Sequence, residues 1–320
     1  MKKSRATAAA LLAALLTPFS APAQTYPVRQ ITIVVAFPAG AAQDIAARVI
    51  AKKLNEQFGR PVIVENRPGA AGTVGSALVA RAAPDGYTLL LGALGAMVVT
   101  PLAKKNVGYD PARDFTPIAL LTSQPMILLV SETGPYKTFA ELVAAGKQPG
   151  AKLNYASAGI GSLSNFASEQ FNAALGTGFL HVPYQGSAPA LRALIGGEVA
   201  MYFAAATDAV PRLKQSARGL LVSLPRRWPS APDVPSLTDL GLQEPNMDMW
   251  YGLLGPAGVP KDIVAKLNDA VQAALKDPAV QQSVPGSEVT FGTPESFAAM
   301  LNADLARVAK QIALTGFKAE

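Results

Sequence analysis

The sequence predicts an α/β protein with two lobes, each built from a mostly parallel β-sheet flanked by helices. Ile31 to Phe37 is an unbroken apolar run rich in β-branched residues, which is typical of a strand buried on both faces of a parallel sheet. Asp44 to Phe58 follows with the apolar spacing of an amphipathic helix. The same alternation starts again at Met126, and 320 residues are enough for two hydrophobic cores.

Turn-forming residues set the limits of these elements. Gly59 ends the first helix, and Pro84-Asp85-Gly86 precedes the third strand. Pro260 and Pro294 occupy first helical positions, and each precedes a long amphipathic segment. The predicted strands cover residues 31–37, 62–64, 88–91, 126–130, 153–156 and 181–184. The predicted helices before Pro260 cover residues 44–58, 72–82, 138–145, 163–175 and 188–195.

Residues 1–23 have the pattern of a secretory signal peptide. Lys2, Lys3 and Arg5 precede an apolar core from Ala8 to Leu16, and Ala21-Pro22-Ala23 supplies the small residues for cleavage after Ala23. We do not interpret this core as a membrane anchor, because it is too short to span about 30 Å of hydrocarbon. Cleavage would lower the formal net charge from +6 to about +3.

The composition excludes several kinds of site. The chain has no cysteine, so it can form neither a disulfide nor a thiolate metal site, and one histidine cannot supply a multi-histidine zinc site. We therefore expect no metal and no cofactor. A small net charge that is scattered along the chain also argues against nucleic acid as a partner.

Signatures of catalysis are also missing. The chain contains neither G-x-S-x-G nor S-x-x-K, which mark common serine nucleophiles. His181 stands at the start of an apolar strand, where a structural role is the simpler interpretation. Glu65 follows the second strand as in dinucleotide-binding folds, but the accompanying G-x-G-x-x-G is absent from residues 38–44. We predict no catalytic residue and no enzymatic activity.

Three short glycine-bearing loops, residues 38–44, 157–162 and 185–187, follow predicted strands. Ligands of open α/β sheets bind at the carboxyl ends of the strands. The first two loops lead directly into helices, where free backbone N–H groups and the positive helix end favour an anion. These loops are therefore candidates for an anion site, and ordinary well-capped turns are the alternative.

Motifs along the whole chain after residue 25 resemble one family in order and spacing. The motifs are Tyr26 to Ile31, Phe37 to Gly40 with Asp44, Val64 to Gly69, Pro84 to Leu89, Tyr109 to Pro111, Tyr155 to Ser157 with Gly159 and Gly161-Ser162, His181 to Tyr184, Pro189 to Leu191, Gly196-Gly197, Asp233 to Pro235 and Trp250 to Leu253. Together they resemble the Bug-type periplasmic solute-binding receptors of tripartite tricarboxylate transporters.

The resemblance implies a type II-like periplasmic binding protein with a ligand cleft between its lobes. Such a receptor closes on a small organic carboxylate, holds it through backbone amides and ordered waters, and delivers it to membrane permease subunits. Closure couples the lobes because bonds from both lobes to the ligand exist only in the closed state. A sensing partner of a membrane receptor and an exported enzyme that uses the same cleft stay open as alternatives. We expect a monomer in the periplasm.

The connectivity divides the chain into two lobes. We expect residues 24–124 plus 231–320 in the first lobe and residues 125–230 in the second. The hinge candidates lie near Thr122-Ser123 and from Pro225 to Pro229.

Mapped by the resemblance, the ligand-binding residues fall in two pincer loops and the walls between them. They are Phe37, Ala39, Gly40, Ala41, Ala42, Gln43 and Asp44 in the first loop; Ser157, Ala158, Gly159, Gly161 and Ser162 in the second loop; and Ala93, Leu94, Gln185, Ala204 and Thr207 in the walls.

Several positions depart from the family pattern toward smaller or less polar residues. Ala39 and Ala41 replace a common Pro and Gly, Asn165 replaces a frequent His, and Ala204 replaces a frequent Asp. Positions 93–95, which are often polar, carry Ala, Leu and Gly. Because an apolar wall disfavours a second, distant charge, our hypothesis is a monocarboxylate or aromatic carboxylate rather than an amino acid or a citrate-like ligand.

Overall fold

One ten-stranded mixed sheet runs through the computed structural model, which describes residues 26–282 and 287–318. The predicted signal peptide lies outside these residues. The strands are β1 (Ile31–Val35), β2 (Val62–Asn66), β3 (Thr88–Ala93), β4 (Phe115–Ser131), β5 (Asn154–Ser157), β6 (Leu180–Pro183), β7 (Met201–Ala205), β8 (Ala217–Val222), β9 (Asp248–Pro256) and β10 (Glu288–Val289).

Helices cover the sheet, and most of them follow a strand directly. They are α1 (Ala42–Phe58), α2 (Thr73–Ala80), α3 (Thr100–Ala103), α4 (Phe139–Gly146), α5 (Leu163–Leu175), α6 (Ser187–Ile195), α7 (Ala206–Ala209), α8 (Lys261–Leu275), α9 (Pro278–Gln282) and α10 (Pro294–Thr315). A π-helical turn covers Gly95–Val99 after β3. No helix among the described residues is both long and apolar enough to cross a membrane.

The long strand β4 joins two halves of the sheet. From Phe115 to Pro125 it pairs with β9, and from Met126 onward it pairs with β7 and β8. The outer strands of each half are parallel, in the orders β2-β1-β3 and β7-β5-β6. The predicted α/β class and the parallel character of the outer strands are therefore confirmed.

Sequence prediction located the helices better than the central strands. The predicted helix over residues 163–175 coincides with α5, and the two helices after Pro260 and Pro294 are α8 and α10. The predicted strand 126–130 is only the end of β4, and β8 and β9 were not predicted. Pro117 and Pro125 within β4, and Gly252 and Gly255 within β9, weaken the strand pattern of these antiparallel elements.

The packing of the residues that follow β8 concerns the predicted boundary between the lobes at 230/231. Ala231 and Val234 are buried in a hydrophobic cluster with Leu129 and Tyr202 of the second half of the sheet. A Cβ on Gly219 of β8 would lie 2.7 Å from Val234 Cγ2, so this contact is close. The packing favours grouping these residues with the second lobe, although the boundaries at 124/125 and 230/231 stay predictions.

Asp248 begins β9 beside the point where β4 leaves the first half of the sheet. It pairs with Pro125 in the ladder, and its Oδ1 is buried without a hydrogen-bond partner in the described part of the chain. Burial raises the pKa of its carboxyl to about 6; Ser123 and Arg226 oppose this shift, while the charges of Asp304 and Glu288 add to it.

We expect Asp248→Asn to stabilise the protein at pH 7.5. Because the pKa of Asp248 is higher in the folded protein than the value of about 3.9 in unfolded chains, the folded state binds more protons between about pH 4 and pH 6. Stability therefore falls as the pH rises through this range. The amide carries no charge and avoids this loss. We therefore expect the substitution to add about 1–3 kcal/mol to the free energy of unfolding.

Urea denaturation at pH 4.5 and pH 7.5 measures this effect. The gain should be larger at pH 7.5, and Asp269→Asn, which changes an exposed carboxylate on α8, should show no such difference. Destabilisation by Asp248→Asn at both pH values would contradict the prediction.

Candidate functional site

Two loops at the carboxyl ends of β1 and β5 lead directly into α1 and α5. The first loop connects Val35 to α1, and the second connects Ser157 to α5. The two strands belong to different halves of the sheet. The halves touch next to the second loop, since a Cβ on Gly95 after β3 would lie 3.7 Å from Leu163 Cγ at the start of α5. The predicted pincer loops thus occupy equivalent positions in the two halves.

The first loop turns at Gly40, whose φ of +83° is a conformation that favours glycine. The Gly40 N–H donates to Asp44 Oδ2 at 2.9 Å, and the Ala41 N–H donates to the Pro38 carbonyl at 3.2 Å. Ala41 is the N-cap residue of α1, and its methyl side chain offers no acceptor to the first-turn N–H groups. The start of α1 therefore has donors and a positive dipole end available for an anion.

Asp44 lies under this loop and is only 3% exposed. Arg48 Nε donates to its Oδ2 at 3.0 Å, and Asn66 Nδ2 donates to its Oδ1 at 2.9 Å. Burial alone would raise the pKa of this carboxyl, but the hydrogen bonds from Arg48, Gly40 and Asn66 together hold it below its ordinary value. Asp44 is therefore an ionised carboxylate enclosed by donors.

The second loop satisfies most of its own N–H groups. Side-chain oxygens of the loop and of the first turn of α5 accept from the N–H groups of Ala158 (Ser164 Oγ, 2.9 Å), Gly159 (Ser157 Oγ, 3.1 Å), Gly161 (Asn165 Oδ1, 3.1 Å) and Asn165 (Ser162 Oγ, 3.3 Å). These four groups are not free, contrary to the expectation that this loop offers unpaired amides. The Gly40 and Ala41 N–H groups of the first loop are paired as well, so the two loops differ at the N-cap. Ser162 is a side-chain N-cap, whereas Ala41 is not.

Parallel pairing of β5 with β6 brings a serine and the only histidine together. Ser157 Oγ lies 2.6 Å from His181 Nε2, a nucleophile–base distance that the motif search did not predict. Ser157 is 0% exposed, and its hydroxyl also donates to the Gly159 carbonyl at 3.1 Å. Burial lowers the pKa of the His181 imidazole, an effect that the Glu169 charge partly offsets. Because the serine is fully buried and the histidine is half-buried, the geometry fits a structural contact.

His181 has a second structural contact. Its ring stacks on Tyr155 at a centroid distance of 4.9 Å, and the Tyr155 hydroxyl accepts from Asn165 Nδ2 at 2.7 Å and donates to Glu169. Burial raises the pKa of Tyr155. Asn165, at the position where the family often has His, thus ties the second loop to β5.

The predicted wall residues occupy different environments. Ala93, Leu94 and Ala204 are buried in the hydrophobic core, so they do not line an open surface of this structure. Gln185 is exposed, and the Thr207 N–H donates to Gln124 Oε1 at 3.2 Å.

In the first loop, Phe37 is half-buried and Ala39 is exposed. A Cβ on Gly72 would lie 3.3 Å from Phe37 Cζ, so the small glycine lets this ring approach the turn after β2. Gln43 is half-buried in the first turn of α1, next to Ala42, the first helical residue.

Three residues around this site were missed by sequence reasoning. By its sequence position, Arg48 is a cation on the solvent face of a helix and Asn66 is part of a turn. Gln124 lies in a part of β4 that was not predicted. The i,i+4 spacing of Asp44 and Arg48 in the sequence was the signal that could have predicted their ion pair. Among the described residues, no group of three or more acidic or histidine side chains is placed to hold a metal ion.

Comparison with known proteins gives concordant matches. Residues 46–314 match the family model described as "Tripartite tricarboxylate transporter family receptor". The chain is 30% identical over 300 residues to the protein BugT of Bordetella pertussis, and the alignment covers 92% of each chain.

Three solved structures are similar to this chain over nearly their full length. The R. palustris protein Rpa4515 with adipate is 32% identical with a TM-score of 0.80, and 92% of this chain and 99% of that chain are covered. MatC from Rhodopseudomonas palustris with bound malate is 35% identical with a TM-score of 0.77, and the covered shares are 90% and 100%. The periplasmic binding protein BugD is 33% identical with a TM-score of 0.77, with 92% and 100% covered.

These likenesses confirm the two-lobed fold of periplasmic binding proteins. They also confirm the resemblance to Bug-type receptors. The chain belongs to the family of tripartite tricarboxylate transporter receptors, which is a family of solute-binding proteins.

Proposed function

We propose that this protein captures a small organic carboxylate between its two lobes and delivers it to the membrane permease subunits of a tripartite transporter. The observation that carries the proposal is the start of α1, where Ala41 leaves first-turn N–H groups without a side-chain acceptor. Charge-assisted hydrogen bonds to such donors contribute about 1.5–3 kcal/mol each. The bound adipate and malate of two relatives support a carboxylate as the recognised group.

The remainder of the ligand is proposed to be apolar or aromatic. Ile160 stands 61% exposed at the tip of the second loop, and Leu163 follows at the start of α5. These side chains support an apolar contact better than Leu94 or Ala204, whose side chains lie in the core. Ordered waters and backbone groups complete the proposed site, which uses no metal, cofactor or catalytic residue.

The cellular setting of this activity is proposed as well. The chain is exported, is cleaved after Ala23 and acts as a monomer in the periplasm. Its charge is too small and too scattered for nucleic acid to be a partner.

A thermal-shift panel tests the function. The probes are benzoate, adipate, L-malate, citrate and L-glutamate, added to protein that has been unfolded, refolded and freed of retained ligand. A ligand at a hundredfold excess over its Kd should raise the melting temperature by about 5 °C or more. We expect benzoate to stabilise more than adipate, L-malate, citrate or L-glutamate, and stabilisation by the di- and tricarboxylates alone would contradict the proposed apolar remainder. Stabilisation by none of the five, together with no carboxylate in the native mass spectrum of freshly purified protein, would contradict the function.

We expect Ala41→Ser to raise stability and to weaken carboxylate binding. A serine at the N-cap accepts from a first-turn N–H, which stabilises the helix by about 0.5–2 kcal/mol. The same hydroxyl occupies donors that the ligand needs, so Kd for a stabilising probe should rise about tenfold. Isothermal titration and urea denaturation measure the two effects.

Ala112→Ser is the matched control because it adds the same hydroxyl to an exposed turn position outside both ligand loops. It should change neither quantity. An Ala41→Ser variant that binds the probe as tightly as the wild type does would show that the ligand does not use the start of α1.

A further inference from the structure

We propose that Asp44, Arg48 and Asn66 form a brace that fixes the shape of the first ligand loop, and that Asp44 is a positioning residue that does not touch the ligand. The inference rests on the proposed function in one respect, namely that the first loop binds a carboxylate. The brace itself follows from the contacts of the three side chains.

The Asp44 carboxylate has no acceptor capacity left. Two carboxylate oxygens offer about four lone-pair directions. Oδ2 accepts from the Gly40 N–H at 2.9 Å and from Arg48 Nε at 3.0 Å. Oδ1 accepts from Asn66 Nδ2 at 2.9 Å and lies 3.0 Å from Arg48 Nη2. An ammonium or hydroxyl group of a ligand therefore finds no acceptor on Asp44, although the residue lies directly under the loop.

Asn66 closes the brace and ties it to the start of the loop. Its Nδ2 also donates to the Phe37 carbonyl at 3.1 Å, and its Oδ1 accepts from Arg48 Nη2 at 3.1 Å. Asn66 reaches both groups because the parallel register places it beside Val35, the last residue of β1. The brace thus holds the loop at Phe37, where it begins, and at Gly40, where it turns.

The brace has a consequence for specificity. With Asp44 saturated, the first loop presents donors and no free carboxylate acceptor to the cleft. The ligand group that fits there is a deprotonated carboxylate, and an ammonium group gains nothing at this position. Holding the loop in its binding shape before the ligand arrives also removes an ordering cost from the affinity. The second loop is held differently, by hydrogen bonds of Ser162, Ser164 and Asn165 at the start of α5.

Hydrogen–deuterium exchange of the mature protein without ligand tests the brace. The variants are Arg48→Met, Asp44→Asn and the conservative Arg48→Lys. Arg113→Met is the matched control, since it removes an exposed arginine that pairs with Asp114 far from the loop in sequence. We expect Arg48→Met and Asp44→Asn to speed exchange of the amides in residues 37–44 about tenfold, and Arg48→Lys to have a smaller effect because lysine cannot bond to both side chains in a fork.

Peptides covering residues 157–165 should exchange at the wild-type rate in every variant. Unchanged exchange of residues 37–44 in both Arg48→Met and Asp44→Asn would overturn the brace. Equal acceleration across the whole first lobe would overturn it too, because that result indicates general destabilisation rather than loss of a local constraint.

Titration with benzoate, adipate and L-glutamate tests the second half of the proposal. If Asp44 has a positioning role, Asp44→Asn should lower the affinity for each probe that the wild type binds. The factor should be similar for all probes, so that their order of affinity is unchanged. A selective loss of L-glutamate binding would show that Asp44 contacts the ligand. If the thermal-shift panel and the native mass spectrum overturn the proposed function, the exchange experiment still decides the brace, because it is done without ligand.

Discussion

The pairing of β4 with strands of both halves of the sheet is the constraint on which the rest of the structure depends. One continuous strand from Phe115 to Ser131 pairs first with β9 and then with β7 and β8. The change of partners at Pro125 and Met126 sets how the two halves meet. Because β1 and β5 belong to different halves of the sheet, this junction sets the relative position of the two loops that follow them. Next to the junction, the Gln124 side chain accepts a hydrogen bond from the Thr207 N–H.

The two ligand loops reach similar positions by different chemistry. The second loop is capped by Ser162 and keeps most of its N–H groups occupied. The first loop has Ala41 at the N-cap, and beneath it the buried Asp44 pairs with the exposed Arg48. A cap and a ligand carboxylate compete for the same donors, so the uncapped loop is the one suited to an anion. Arg48 and Asp44 then supply the rigidity that a cap would otherwise provide.

Sequence patterns predicted the helices, strands and loops that follow from local periodicity. The helix at residues 163–175, the apolar core of β1 and the two loops that follow parallel strands all follow from spacing along the chain. Contacts between distant segments were not accessible in this way. Asn66 meets Asp44 only because β1 and β2 pair in one register, and Ser157 meets His181 only because β5 and β6 do. Single-residue patterns also gave no sign that Leu94 and Ala204 are core residues.

The central claim is that the ligand carboxylate binds at the uncapped start of α1 and not on Asp44. A crystal structure of the protein purified natively, without a step that removes ligand, tests it most directly. The account predicts carboxylate density within hydrogen-bond distance of the backbone N–H of Gln43, with all four Asp44 contacts intact. Density for the ligand that contacts an Asp44 oxygen, or a carboxylate bound away from α1, would contradict it.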